Sequence, residues 1–350
     1  MPLTLINDTH LGVQRNAGTT PRSSSALKEW LNSEFASLVH RAEGDLCILG
    51  DLFDQYLVPN TDLVSAVATL SFWCKQHPHN TLHLVAGNHD LSKDSSRLSS
   101  FEVLCQLLEY MHKNVSIHME PGWVKEGVWV IPHCVNQDLF DIYLEQVPEG
   151  TRVLLLHANY DNFHAEQSDG SLNVKESVAQ GLVERGVTLV FAHEHQHRLA
   201  LDGNVIVVGN QIPTSVADCL GAPNKYKLEI DGEAPRLVRV LQVSDVFERR
   251  DWRNLGTPPL SGDTKFIRVE GSATANEAAD VVTAISKYRS KSDAFVITNA
   301  VKIEGISELK DLPATLEAAK AFDVLSAILE TLDERERVVV KKLLQEGSTC

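Results

Sequence analysis

The feature that most limits what this chain can fold into is a series of short apolar runs set between longer amphipathic stretches. The runs are LTLIN (3–7), DLCILG (45–50), TLHLVAG (81–87), GVWVIP (127–132), RVLLLH (152–157), VTLVFA (187–192) and NVIVVG (204–209). Runs this short and this apolar read as strands covered on both faces, and the stretches 26–42, 61–76 and 98–112 between the early ones read as helices. The alternation predicts an α/β (α+β) layered sandwich, with sheets flanked by helices. Further on, KYKLEIDGEAPRLVRVLQV reads as antiparallel strands turning at DGEAP, and RNLGTPPLSGD (253–263) as a linker. TKFIRVEG, ANEAADVVTAISKYRS and DAFVITNAVKIEG then suggest a small β-α-β module, and the tail from about 314 has helical spacing.

The residues just past each strand are as informative as the strand. DTHLG comes after LTLIN, DLFD after LCILG, NHD after LHLVAG, His157 ends RVLLLH, and HEHQH comes after VTLVFA. In open α/β sheets ligands bind beyond the carboxyl ends of strands, so Asp, His and Asn residues are delivered to one edge. A single Asp-x-His usually marks a capping aspartate; the recurrence in one order makes that reading untenable for the set. Nitrogen and oxygen donors without sulfur suit Mn, Fe or Zn, whereas Mg disfavours imidazole.

Composition sets outer bounds. The net charge of −15 argues against coating nucleic acid by general electrostatics, yet bound cations and local basic loops leave room for an enzyme of nucleic acids. The six scattered cysteines read as reduced core residues, MPLTLINDTH has neither the basic start nor the cleavage site of a signal peptide, and no apolar run reaches membrane length. The expectation is a cytoplasmic enzyme, with no membrane association.

The order Asp-x-His, Gly-Asp-x-x-Asp, Gly-Asn-His-Asp, His, x-His-x-His resembles that of the calcineurin-like metallophosphoesterases. The resemblance rests on Asp8, His10, Asp51, Asn88, His89, His157, His193 and His195, with Ala192 departing from the family's usual glycine. It implies two divalent metal ions, taken as Mn2+, with Asp51 bridging them. Asp8, His10 and His195 complete one shell; Asn88, His157 and His193 complete the other. His89 is left to face the substrate near the leaving oxygen, and Asp54 is the natural partner to orient its ring. Asp90 reads as the cap of the turn after GNH. His197 reads as a strand-edge residue with a smaller chance of touching substrate, and His133, His77, His79, His83, His112 and His118 as structural.

Three features point to a substrate. DTHLG resembles the start of the nuclease subunit of SbcCD-type recombination exonucleases and their phage counterparts, VVGNQIPTSVADCLGAPNKYKLEID resembles the segment closing their metal site, and DTKFIRVEG with its module resembles their capping domain. The protein-phosphatase signature is absent, since Gln55 and Asp90 stand where it has Arg and Glu. The expected organisation is a nuclease domain at 1–252, the linker 253–263, a DNA-positioning cap at 264–312, and a helical tail at 313–350 that holds an ABC-type ATPase. The expected activity is Mn-dependent DNA exonuclease and endonuclease action in repair, recombination or replication; the alternative is a small-substrate phosphodiesterase or nucleotidase. Arg15, Arg22, Lys93 and Arg97 are candidate DNA contacts, each equally readable as ordinary surface charge. The resemblance also implies a homodimer built on the helices near 61–76 and 98–112, whose apolar excess suits a second contact.

Overall fold

The computed structural model describes residues 2–13, 21–92, 97–162, 171–214, 223–232, 234–243, 246–256, 266–291 and 295–304, without the side chains of 21–23, 290–291 and 295–298. The predicted tail at 313–350, most of the predicted linker, Arg15 and Lys93 lie outside the described residues. The chain forms two compact units. Among the described residues, one comprises 2–270 with 284–300, and the other 271–283 with 301–304.

The larger unit is a two-sheet sandwich of the layered α/β kind. The strands of its first sheet are β1 (Leu3–Ile6), β2 (Asp45–Leu49), β3 (Leu82–Val85), β4 (Val115–His118), β13 (Asn224–Asp231) and β14 (Ala234–Gln242). They lie in the order β14-β13-β1-β2-β3-β4. The second sheet holds β5 (Gly122–Lys125), β6 (Val128–Ile131), β7 (Val153–His157), β10 (Thr188–Ala192), β11 (Arg198–Ala200) and β12 (Val205–Val207). Their order is β11-β12-β10-β7-β6-β5. Two short strands, β8 (Asn159–Tyr160) and β9 (Asn173–Val174), pair with each other in parallel. The apolar runs lie at the centre of the two sheets, where side chains alternate between two apolar layers. Leu3, Leu5, Cys47, Leu49 and Val85 pack against Val153, Leu155, Val190 and Ala192 of the other sheet. The alternate residues Ile6, Leu46, Ile48, Leu82 and Leu84 pack outward with residues of α1 (Pro21–His40), α2 (Asn60–Gln76) and α3 (Ser100–Met111). Leu154, Leu156, Leu189 and Phe191 do the same with α4 (Gln137–Glu145) and α5 (Glu176–Glu184). Covering both faces explains why these strands read as continuous apolar runs, and parallel pairing of β1, β2 and β3 and of β7 and β10 brings their carboxyl ends to one edge.

The predicted hairpin at DGEAP is present: β13 and β14 pair antiparallel, with an irregularity between Lys225 and Tyr226. Beyond it, β15 (Phe247–Asp251), β16 (Phe266–Glu270) and β18 (Phe295–Asn299) form a parallel three-stranded sheet. Phe247 and Phe266 meet the Trp30 ring of α1 at 5.5 and 5.8 Å. In the smaller unit, β17 (Ser272–Thr274) and β19 (Lys302–Glu304) pair in parallel. Among the described residues no helix is long and apolar enough to cross a membrane.

Candidate metal centre

The loops that leave β1 and β2 continue the sheet as main-chain bonds. Asp8 N donates to Gly50 O, His10 N to Asp51 O, Leu11 N to Leu52 O and Asp54 N to Leu11 O, at 2.8–3.1 Å. Running side by side, the loops hold Asp8, His10 and Asp51 in the left-handed region, with φ of 50°, 45° and 49°; His193 is held there too, at 83°. Such conformations cost about 1–3 kcal/mol each and persist where the surroundings over-determine them. Two glycines of the motifs are set by close approach. A Cβ at Gly50 would lie 2.0 Å from His157 Nδ1, and one at Gly87 would lie 2.2 Å from Asp51 Oδ1.

Three groups of ligand atoms result, each within 4.8 Å: Asp8, His10 and His195; Asp51, His157 and His193; and His10, Asp51 and His89. His10 Nε2 and His195 Nε2 approach to 3.0 Å. Asn88 Oδ1 lies 3.0 Å from His157 Nε2 and 2.9 Å from His193 Nδ1. Asp51 sits between the groups: its Oδ1 is 3.4 Å from His157 Nε2 and its Oδ2 is 3.9 Å from His10 Nε2. Burial raises the Asp51 carboxyl, but His157, His10 and His89 outweigh it and hold Asp51 well below the usual carboxylate range. Burial lowers His157, and Asp51 and Asp8 reverse this, lifting it to about 9. Burial, with Asp51, raises Asp8, whereas burial and His157 push His193 down to about 4.

The match that decides the family is to the calcineurin-like phosphoesterases, over residues 1–206. The chain belongs to this family. Calcineurin-like phosphoesterases are metal-dependent, and the donor set fits divalent ions: carboxylate and imidazole atoms converge in the Asp8, His10, His195 and the Asp51, His157, His193 groups, with the Asn88 amide beside the second and Asp51 reaching toward His10 of the first. Among solved structures the chain is similar to TT1561 of Thermus thermophilus, with TM-score 0.39 and 11% identity over 68% of this chain and 98% of that one. It is also similar to the Pseudomonas putida nuclease MPE, with TM-score 0.22 and 20% identity over 45% of this chain and 62% of that one. Neither likeness is close enough to bear on function. No curated protein matches the chain.

In this phosphoesterase His89 is exposed, its Nδ1 2.6 Å from the Asp54 carbonyl oxygen. The orienting bond therefore runs to the main chain of Asp54, whereas the sequence pointed to its carboxylate. That carboxylate faces His10 instead, with Oδ1 3.8 Å from Nδ1. Asp90 is buried and accepts main-chain bonds from Gly87 at 3.0 Å and from Phe53 at 3.1 Å, so it ties the GNHD turn to the DLFD loop. His197 is held by the Val207 carbonyl at 2.7 Å and lies against the Tyr226 ring. His133 donates its main-chain N–H to Ala86, just before the GNHD turn, and burial together with the charge of His157 pushes its ring down to about 4. Arg97 is exposed beside His89; Arg22 lies on α1, its side chain outside the description.

The sequence did not announce a polar layer behind these ligands. Asn7 Nδ2 donates to Asp8 Oδ2 at 2.6 Å, while Gln211 bonds Asn7 twice, accepting from its N at 2.7 Å and donating to its Oδ1 at 2.8 Å. Lys225, 2% exposed, donates to His195 O at 3.1 Å and to Asn210 Oδ1 at 2.6 Å. Glu194, between His193 and His195, accepts from Tyr160 N at 2.7 Å and pairs with Arg198 at 2.8 Å. The only cue was position: Asn7 and Gln211 each stand at or just past the end of an apolar run.

Proposed function

We propose that this metal-dependent phosphoesterase is a DNA nuclease that cleaves phosphodiester bonds. The observation that carries the hydrolytic reading is Asp51, whose two oxygens face different ligand groups, so one carboxylate fixes the spacing of both sites. Divalent ions held there, manganese in this proposal, would supply the charge that neutralises the phosphate and acidifies the attacking water. Asp8, His10 and His195 would hold one ion, and Asn88, His157 and His193 the other. His89 stands at the exposed rim, with Nδ1 engaged by a carbonyl; its Nε2 would act on the leaving oxygen as proton donor.

Support for DNA as substrate comes from DTHLG, the GNQIP segment and the module after residue 264, each similar to its counterpart in SbcCD-type nuclease subunits. On the same reading residues 1–252 are the nuclease domain and 264–312 position DNA. Residues 313–350 engage an ABC-type ATPase that supplies the grip on duplex DNA which a net charge of −15 lacks. Two copies would pair through α2 and α3, where Val64, Phe72, Leu107, Tyr110 and Met111 are exposed. The test is hydrolysis with added Mn2+ of circular single-stranded DNA, bis(p-nitrophenyl) phosphate and 5′-AMP. Cleavage of the circle is expected; hydrolysis of the small esters alone would make the chain a small-substrate phosphodiesterase or nucleotidase.

A further inference from the structure

Beside the metal centre opens a cavity of about 490 Å³ that Asn88 and His89 share with Gln55, Tyr56, Leu91 and Arg97. Ligand pockets run from about 300 to 1,000 Å³, and this one has room for a nucleoside. Its wall belongs to the two motif loops. Tyr56 lies two residues past DLFD, and its carbonyl accepts from Ser100 N at 2.7 Å, which ties the loop to the start of α3. Leu91 comes directly after GNHD and packs against the outer core. An aromatic ring and a branched alkyl group offer faces for a flat heterocycle, and the Gln55 amide offers both a donor and an acceptor to its edge.

We infer that this cavity, resting on the nuclease reading above, holds the unpaired base of the nucleoside whose oxygen leaves. His89 is the link between cavity and chemistry. Its ring is pinned by the Asp54 carbonyl at the boundary between the candidate ligand groups and the cavity, so a phosphodiester held at those groups would turn its leaving side there. A base lodged in such a cavity has left its stack, and the site therefore selects single strands and frayed ends over intact duplex. Contact through ring and alkyl faces tolerates any of the bases, because each has a π surface. Arg97, in the same wall, suits the next phosphate along the strand.

The experiment uses the full-length protein with Mn2+ and three thymidine dinucleotides: the parent, and two in which one or the other nucleoside is a tetrahydrofuran abasic analogue. The expected result is a loss in kcat/KM of about five- to hundredfold when the base is missing on the leaving side, the range given by stacking on an aromatic ring. A missing base on the other side should change kcat/KM by less than about twofold, since no stacking is lost there. Tyr56→Ala should bring the leaving-side ratio close to one and Tyr56→Phe should retain it. Equal cleavage of all three by the unaltered protein overturns the assignment, as does a folded Tyr56→Ala protein that keeps the full ratio. If no dinucleotide is cleaved while bis(p-nitrophenyl) phosphate is, the nuclease reading itself falls and the cavity assignment with it.

Discussion

Two histidine pairs in this molecule have nearly the same nitrogen–nitrogen distance and opposite surroundings. His10 and His195 bring ring nitrogens to 3.0 Å at the candidate metal centre; His83 and His118 bring theirs to 3.1 Å in the first sheet, on neighbouring strands β3 and β4. Distance does not separate them; the surrounding charge does. Asp51 and Asp54 flank His10, at 3.9 and 3.8 Å, and Asp8 joins the group. The charges acting on His83 are those of His118 and Lys125, both of the same sign as its own protonated form, and Ser116 lies 3.3 Å from His118. Imidazoles among carboxylates attract a cation, whereas imidazoles buried without them stay neutral and share a proton. Every three-ligand group among the described residues includes Asp8 or Asp51.

The largest effect should come from removing that charge. Asp51→Ala takes a ligand from both groups, and hydrolysis should fall by at least about a thousandfold with metal stoichiometry below two per chain. Asp8→Ala, Asn88→Ala and His195→Ala should each empty one position. His89→Ala should bind both ions and still lose about a hundred- to ten-thousandfold in turnover, the usual share of general acid catalysis. A His89→Ala protein purified without metal would erase this division of roles.

A smaller effect tests the layer behind the ligands. Lys225→Met removes the donor to the His195 carbonyl, and Gln211→Leu removes the partner of Asn7, which holds Asp8. Each should weaken one of two Mn2+ affinities by about ten- to hundredfold, the range for groups that orient ligands. Manganese titration followed by electron paramagnetic resonance reads the two sites separately; equal weakening of both would mean general loosening. Asp54→Asn should do less, about tenfold, and act through His10. Lost turnover with unchanged metal affinity would return the Asp54 carboxylate to His89.

The contrast between ligands and supports also explains what could be read from the chain. Parallel strands covered on both faces must be continuous apolar runs, so polar residues at their ends stand out, and Asp8, Asp51, Asn88, His157 and His193 are all such residues. Lys225 has no such mark. Strict alternation in NKYKLEID would group it with Lys227 and Glu229, but the irregularity at Lys225/Tyr226 breaks the period and Lys225 meets the His195 loop. The split role of Asp54 was illegible for another reason: every residue has a carbonyl, so a main-chain acceptor leaves no trace in side-chain identity.

The smallest effect lies in the pair that belongs to no three-ligand group among the described residues. Burial, with His118 and Lys125, pushes His83 down to about 3, and burial also lowers His118. The unfolded chain takes up a proton near the ordinary histidine value of about 6.5, while the folded chain refuses it until about pH 3. Stability from this group is therefore complete above about pH 6.5 and declines as pH falls toward 3, by about 1.4 kcal/mol per unit for one proton. His83→Gln keeps a polar atom for His118 but does not titrate in this range. Urea unfolding between about pH 6.5 and pH 4.5, with the metals removed in both proteins, should give the variant a slope shallower by about that amount. If the two slopes coincide, His83 takes up its proton in the folded state as readily as in the unfolded one. The two pairs would then not differ by charge, and the contrast between them would have to rest on ligand count alone.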